Sequence, residues 1–317
     1  MIHFATRRSL NSQTNQFTNN FGEVTRHVRL KPRPDGKLAG STMPVADWAA
    51  EVWSRSQSGD VAIYVHGFNT PFAYGLGTIR SIEAGLKQQH FNGAVVGFAW
   101  PSQGKLFNPS WPAFGGLTTY RTDKIMAKKS AIYLVKDVIW PLQAANPGGR
   151  VHLIAHSMGT YLTLRGFSQF EDMAGPLPKS WQIEQALFVA GDIDRDWMKK
   201  GAWGASTMER RTSRLTNYHS MKDEVLDISW KAFNGGRERA GQHGIGARAP
   251  KGSHDVSGTT RYFSQFEPRD RTTRLSHRWY FEESGWFKDA AMTLTGKQAD
   301  QMPTRQAGGE EGQRLKP

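Results

Sequence analysis

Arg150-Val151-His152-Leu153-Ile154-Ala155-His156-Ser157-Met158-Gly159-Thr160 is the stretch that decides how this chain is read. An apolar, β-branched run stops abruptly at His156-Ser157, and a pattern that can form a helix begins at Tyr161. A small residue stands two positions before Ser157 and a glycine two positions after it. This is the layout of a nucleophile elbow, a sharp strand-to-helix turn that lifts a serine above the carboxyl edge of a sheet. The flanking residues must be small because the turn brings the chain close to itself, where a larger Cβ substituent would clash. The consensus is G-x-S-x-G, and Ala155 departs from it by one methyl group. Five residues alone are a weak signal, since a serine between small residues also suits an ordinary helix start.

The surrounding composition bounds the answer. The 317 residues are 38% hydrophobic and 22% charged, which is the balance of a soluble globular chain with ample length for a large core. No apolar run reaches the roughly 18 residues of a membrane span. Met1 to Arg8 lacks the long apolar region of a secretory signal, so a cytoplasmic location is expected. Cysteine is absent, which excludes disulfides, thiolate metal sites and cysteine nucleophiles. Lys and Arg number 41 against 28 Asp and Glu, a net charge of +13. The excess is spread, densest from Arg195 to Arg274, and no nucleic-acid-binding fingerprint accompanies it. A solvated basic surface or an anionic partner would each account for it.

Taken in order, Ile2 to Thr6 and Val24 to Leu30 read as strands, and residues 9–22 between them as loop. Continuous apolar runs follow at Val61–Val65, Ala94–Trp100, Val151–Ala155 and Ala186–Ala190, with a further strand at Arg214–His219. Runs of this kind suit strands buried on both faces. Helical spacing separates them at Ala73–Gln89, Lys124–Leu142 and after Ser157. Strands alternating with helices predict an α/β fold with a mostly parallel central sheet covered by helices on both faces. Residues 103–119 and 234–258 read as irregular, Glu282–Leu294 as a last helix, and 296–317 as a disordered tail after a single domain spanning 1–295. In parallel sheets ligands sit beyond the carboxyl ends of the strands. His66-Gly67, Trp100-Pro101, Ser157, Asp192 and Asp223 all fall at such ends.

At this point the chain resembles an α/β-hydrolase, in a prokaryotic esterase- and lipase-like branch described as a domain of unknown function. The blocks that carry the resemblance are Phe4-Ala5-Thr6, Val65-His66-Gly67-Phe68-Asn69-Thr70, Trp100-Pro101-Ser102, Val151 through Gly159, Gly191-Asp192-Ile193-Asp194, Arg239-Ala240-Gly241 and Ser276-His277-Arg278-Trp279-Tyr280-Phe281. Ala155, Gly191 and a long segment between Asp223 and His277 are its departures.

The resemblance implies roles. Ser157 is the nucleophile, and a neutral hydroxyl needs a base within reach. In this fold the order is Ser, acid, His. His219, His243, His254 and His277 are therefore candidates; the resemblance points to His277, with His254 as the alternative. Asp223 stands at the usual acid position, with Asp192 as the alternative, although Asp192 and Asp194 could instead cap a following helix. Backbone N–H groups of Phe68 and Met158 form the oxyanion hole. His66, Asn69, Trp100 and His156 are placed around the substrate, His66 in a structural role. Trp100, Phe107, Trp111 and Phe114 could wall an acyl pocket. Between Asp194 and Arg214 only one helix fits, so no large cap is expected there, though residues 103–119 or 231–258 could form a small cover.

The expected activity is cleavage of a carboxylic ester, an acidic one among the candidates, by an acyl-enzyme route that requires no metal or organic cofactor. The same triad serves acyltransferases, thioesterases and amidases. A non-catalytic basic module binding an anionic partner through Arg237, Arg239, Arg248, Lys251 and Arg261 is the remaining alternative. No specific nucleic-acid partner is expected.

Overall fold

In a computed structural model that describes residues 1–32, 38–103, 113–172, 180–246, 249–250, 252–308 and 312–317, the apolar runs become the inner strands of one mixed sheet. Its strands are β1 (Ile2–Asn11), β2 (Gln16–Pro32), β3 (Leu38–Met43), β4 (Asp60–Val65), β5 (Ala94–Ala99), β6 (Arg150–His156), β7 (Ile183–Val189), β8 (Thr212–His219), β9 (Ser253–Ser257), β10 (Arg305–Ala307) and β11 (Gln313–Leu315). The α-helices are α1 (Val45–Ser54), α2 (Phe72–Gln88), α3 (Ala113–Leu134), α4 (Trp140–Ala145), α5 (Met158–Asp172), α6 (Trp203–Arg211), α7 (Glu224–Ile228), α8 (Ala240–His243), α9 (Thr259–Gln265), α10 (Thr273–Arg278) and α11 (Ser284–Leu294). Among the described residues the strand order is β10-β11-β9-β8-β7-β6-β4-β5-β1-β2-β3. All strands from β11 to β1 in that order run parallel. β2, β3 and β10 lie antiparallel at the two edges.

Parallel strands need crossover connections, and these place helices over both faces. β4 shows the result, with all six residues buried. Alternate side chains point to opposite faces. Val61, Ile63 and Val65 enter one core with Trp48 of α1, Leu134 of α3 and Leu162 of α5. Ala62 and Tyr64 enter the other with Ile82 of α2 and Trp286 of α11. β6 repeats the division: Val151, Leu153 and Ala155 face the first core and Ile154 the second. Each such leucine or isoleucine contributes roughly 2 kcal/mol by leaving water. The carboxyl ends of β4, β6, β7 and β8 therefore meet at one rim, held in register by pairs such as Val65–Ala155 and His156–Val189.

Several stretches depart from the sequence reading. Residues 9–22, polar enough to suggest loop, extend β1 and β2 into a long hairpin that turns at residues 12–15. The pairing partner, and not local composition, decides that extension. Residues 234–258 contain α8 and β9. α3 starts at Ala113, so the end of the expected 103–119 loop is helical, while Phe107 and Trp111 lie outside the described residues, as does the side chain of Phe114.

The chain end is the largest correction. The 296–317 segment, expected as a disordered tail, forms β10 and β11, and β11 pairs parallel with β9. Arg305 anchors it. Its Nη2 donates to Asp289 Oδ1 at 2.7 Å and to Thr293 Oγ1 at 2.8 Å, with both charges buried. A buried ion pair holds a segment too poor in apolar residues to hold itself. Between β7 and β8 lie only a short 3₁₀ turn and α6. Among the described residues, no helix is long and apolar enough to cross a membrane.

Candidate active site

β6 ends at His156 and α5 begins at Met158, so Ser157 makes the turn by itself. Its φ is 53°, in the left-handed region that costs a non-glycine residue on the order of 1–2 kcal/mol. Backbone hydrogen bonds hold it there. Ser157 N–H donates to the Val189 carbonyl (3.0 Å), and the Ser157 carbonyl accepts from the N–H groups of Thr160 (3.0 Å) and Asp192 (3.1 Å). The need for small neighbours is visible. A Cβ at position 159 would stand 2.4 Å from the Val65 carbonyl oxygen, and one at position 67 would stand 2.7 Å from Ser157 Cβ. Ala155 faces the core below the turn, and its methyl group is accommodated there.

Asp223 follows β8 and starts α7. Its Oδ1 accepts from Leu226 N–H at 2.9 Å, capping the helix, while Oδ2 accepts from His277 Nδ1 at 2.7 Å. The carboxyl is fully buried. Burial pushes its pKa up, against the pull of His277 and the cap. α10 carries His277 and is capped by Thr272 Oγ1, which accepts from Leu275 N–H at 3.1 Å. His156 Nε2 donates to the His277 carbonyl at 3.1 Å, tying the residue before the elbow to the helix that holds the histidine. Burial lowers the His156 pKa well below the ordinary imidazole value, so the ring stays neutral. Ser157 and His277 line one cavity of about 490 Å³. Among the described residues no hydrogen bond joins Ser157 Oγ to the imidazole, a contact that commonly closes only with substrate present.

The loop after β4, His66-Gly67-Phe68-Asn69-Thr70, is held from two sides. Asp123 of α3 accepts from Asn69 N–H (3.1 Å), Gln103 N–H (2.9 Å) and the Ser102 hydroxyl (2.6 Å). Ser102 Oγ in turn accepts from Thr70 N–H at 3.1 Å. Arg8 of β1 donates to the Thr70 carbonyl at 2.8 Å and to Asn19. The sequence reading passed over both Arg8 and Asp123, because it ended the first strand at Thr6; in the structure β1 carries Arg8 into the interior, where a buried charge demands partners. Met158 opens α5, so its N–H has no acceptor inside the helix. The Phe68 N–H takes part in none of the described turn and loop hydrogen bonds.

The other expected residues separate cleanly. Asn69 and His156 line the cavity. His66 and Trp100 do not; they stack on each other beneath the loop, with ring centroids 5.0 Å apart and planes 9° from parallel. Trp100 Nε1 donates to the His66 carbonyl at 2.8 Å. Burial, helped by the Arg8 charge, lowers the His66 pKa to about 3. The pair braces the loop from below.

Asp192 borders the cavity but is fully engaged. It accepts from Arg239 Nε (2.8 Å), Ser229 Oγ (2.7 Å) and the Tyr120 hydroxyl (2.8 Å). Burial alone would raise its pKa; Arg239 and the two hydroxyls outweigh burial and hold it below the usual carboxylate value. Asp194 pairs with Arg239 and Arg237, and its side chain does not cap the turn that follows. His254 sits within β9, paired with Thr216 and separated from β6 by β8 and β7. The basic residues offered as a docking face are also mostly engaged. Arg237 and Arg239 bind these aspartates and Arg261 binds Glu283 at 2.6 Å, while Arg248 and Lys251 lie outside the described residues. Two further arginines, Arg274 and Arg278, line the cavity.

The family model for α/β-hydrolases of unknown function (DUF900) matches residues 43–287. The chain belongs to this family. The matched span of this α/β-hydrolase includes the loop after β4, the elbow, Asp192, Asp223 and His277; β1 with Arg8 and the terminal hairpin lie outside it. The chain is also similar to uncharacterized protein alr1448 of Nostoc sp. (strain PCC 7120 / SAG 25.82 / UTEX 2576), at 26% identity over 136 residues, covering 36% of this chain and 32% of that protein. The chain thus spans about a third of the length of the relative that it matches.

Proposed function

We propose that this α/β-hydrolase is a serine hydrolase that cleaves carboxylic esters through an acyl-enzyme. The observation that supports it best is the meeting of a serine held at φ 53° and a histidine paired with a buried carboxylate at 2.7 Å, both on one cavity. Ser157 Oγ attacks the ester carbonyl carbon while His277 Nε2 takes its proton. Asp223 holds Nδ1 and so keeps Nε2 as the accepting nitrogen. The tetrahedral oxygen accepts from the N–H groups of Phe68 and Met158, each such donor being worth roughly 10²–10³ in rate. The intermediate collapses, the C–O bond to the alcohol breaks, and His277 returns the proton to the leaving oxygen. Water then attacks the acyl-enzyme, His277 takes its proton, and the acid departs as Ser157 is regenerated.

A fluorophosphonate probe tests this reading directly. Mass spectrometry should locate the adduct on Ser157. Labelling should vanish in Ser157→Ala and slow by orders of magnitude in His277→Ala. A folded wild-type protein that takes up no label would overturn the assignment.

A further inference from the structure

α10 carries two arginines in addition to His277. Arg274 and Arg278 are one helical turn apart and share a face. Both guanidinium groups sit over the same ring, that of Tyr74 in α2, with carbon-to-centroid distances of 4.7 and 4.1 Å. All three side chains line the cavity that holds Ser157 and His277. Arg278 Nη2 donates to Thr78 Oγ1 at 3.3 Å. Among the described residues neither arginine pairs with a carboxylate.

Elsewhere in the fold, Arg239 meets Asp192 and Asp194, Arg261 meets Glu283 and Arg305 meets Asp289, while the buried Arg7 and Arg8 are held by backbone carbonyls and Asn19. Burial disfavours the charged form of Arg278, and Tyr64 and the Glu282 charge offset this only in part. Like charges one turn apart repel as well. An anion placed between the two would relieve both penalties, and a planar guanidinium presents paired N–H groups that match carboxylate or phosphate oxygens. Asp192, the carboxylate on the cavity border, does not cancel this field, because Arg239 neutralises it. Phe68, Val225, Ile228 and Phe233 give the same cavity an apolar portion.

Resting on the serine-hydrolase reading above, we propose that the natural ester carries an anionic group, a carboxylate or a phosphate, seated on Arg274 and Arg278, with its apolar part against Phe68, Val225, Ile228 and Phe233. The substrate class is then an acidic ester and not a neutral lipid.

The test compares p-nitrophenyl hemiglutarate with the neutral p-nitrophenyl valerate. Wild type should favour the anionic ester in kcat/KM, and Arg274→Gln/Arg278→Gln should lower that preference roughly tenfold, chiefly through KM. Arg278→Lys should keep part of it. Arg274 is exposed, so Arg274→Gln alone keeps the test readable if the double variant does not fold. Glutarate and propyl phosphate as competitors tell the two anions apart, since the stronger inhibitor names the group. A preference unchanged by the substitutions, or a wild type that favours the neutral ester, overturns the anion seat and leaves the hydrolase standing. Calorimetry on Ser157→Ala covers the converse. Hemiglutarate binding that weakens about tenfold when both arginines are replaced, with no turnover by wild type, would keep the anion seat and sink the hydrolase. Absence of both binding and turnover sinks both.

Discussion

Two carboxylates stand near Ser157, and what each one touches tells them apart. Asp223 holds His277 Nδ1 at 2.7 Å; Asp192 is consumed by Arg239, Tyr120 and Ser229. Asp223→Asn should therefore lower ester turnover by roughly 10³–10⁴, because an amide no longer favours the productive imidazole tautomer. Asp192→Asn should act on stability instead. It weakens the pairing of a buried guanidinium, a loss of about 3 kcal/mol, with a far smaller effect on turnover per folded molecule. Thermal melts and ester kinetics on the two variants check this, and an exchange of the two phenotypes would make Asp192 the acid. Both aspartates were legible in the sequence, because each follows a strand that ends at the rim. Which one meets the histidine was not, because that choice rests on the fold of the chain over the 54 positions that separate Asp223 from His277.

At the scale of elements, β4 and β6 are pinned at their amino ends by one buried carboxylate. Asp60 at the start of β4 accepts from Arg150 (Nε 2.7 Å, Nη2 2.9 Å) and His152 Nε2 (2.8 Å) of β6. Burial opposes the charged form, but the hydrogen bonds from His152 and Arg150 outweigh it and depress the Asp60 pKa from 3.8 to about 2. A depressed carboxyl pKa stabilises the folded state above the ordinary value and loses that contribution as pH falls through the folded value. Asp60 should thus contribute on the order of 2 kcal/mol near neutrality, lost as pH drops from about 4 towards 2. Denaturant melts of wild type and Asp60→Asn should differ at pH 6 and converge at the acid end. A gap that is constant with pH would remove the charge from the argument. The strands themselves could be read from their apolar runs. The long β1–β2 hairpin could not, because pairing between chain segments, and not local composition, extends it.

At the scale of the whole molecule, the terminal hairpin is part of the sheet. Arg305 binds Asp289 and Thr293 of α11 inside the fold. Truncation of residues 299–317, or Arg305→Ala alone, leaves Asp289 buried without its cation and should cost about 3–5 kcal/mol. Chemical denaturation measures this; an unchanged midpoint would show that the hairpin is dispensable. The net charge of +13 also takes on a different meaning at this scale. Arg239 and Arg305 hold the fold together, and among the described residues Arg274 and Arg278 line the cavity without a carboxylate partner.

The sequence by itself determined the alternation of buried strands and helices and the sharp strand-to-helix turn at Ser157. These depend on short-range features: apolar periodicity, and small residues where the chain turns back on itself. Only the tertiary structure decided that Asp223 and not Asp192 meets His277, that His66 and Trp100 brace a loop beneath the cavity, that Arg274 and Arg278 share its wall, and that the polar end of the chain is a strand pair. Each of those is a contact between groups remote in sequence, such as the hydrogen bond from His156 to His277 across 121 residues. Local composition carries no information about a partner that far along the chain.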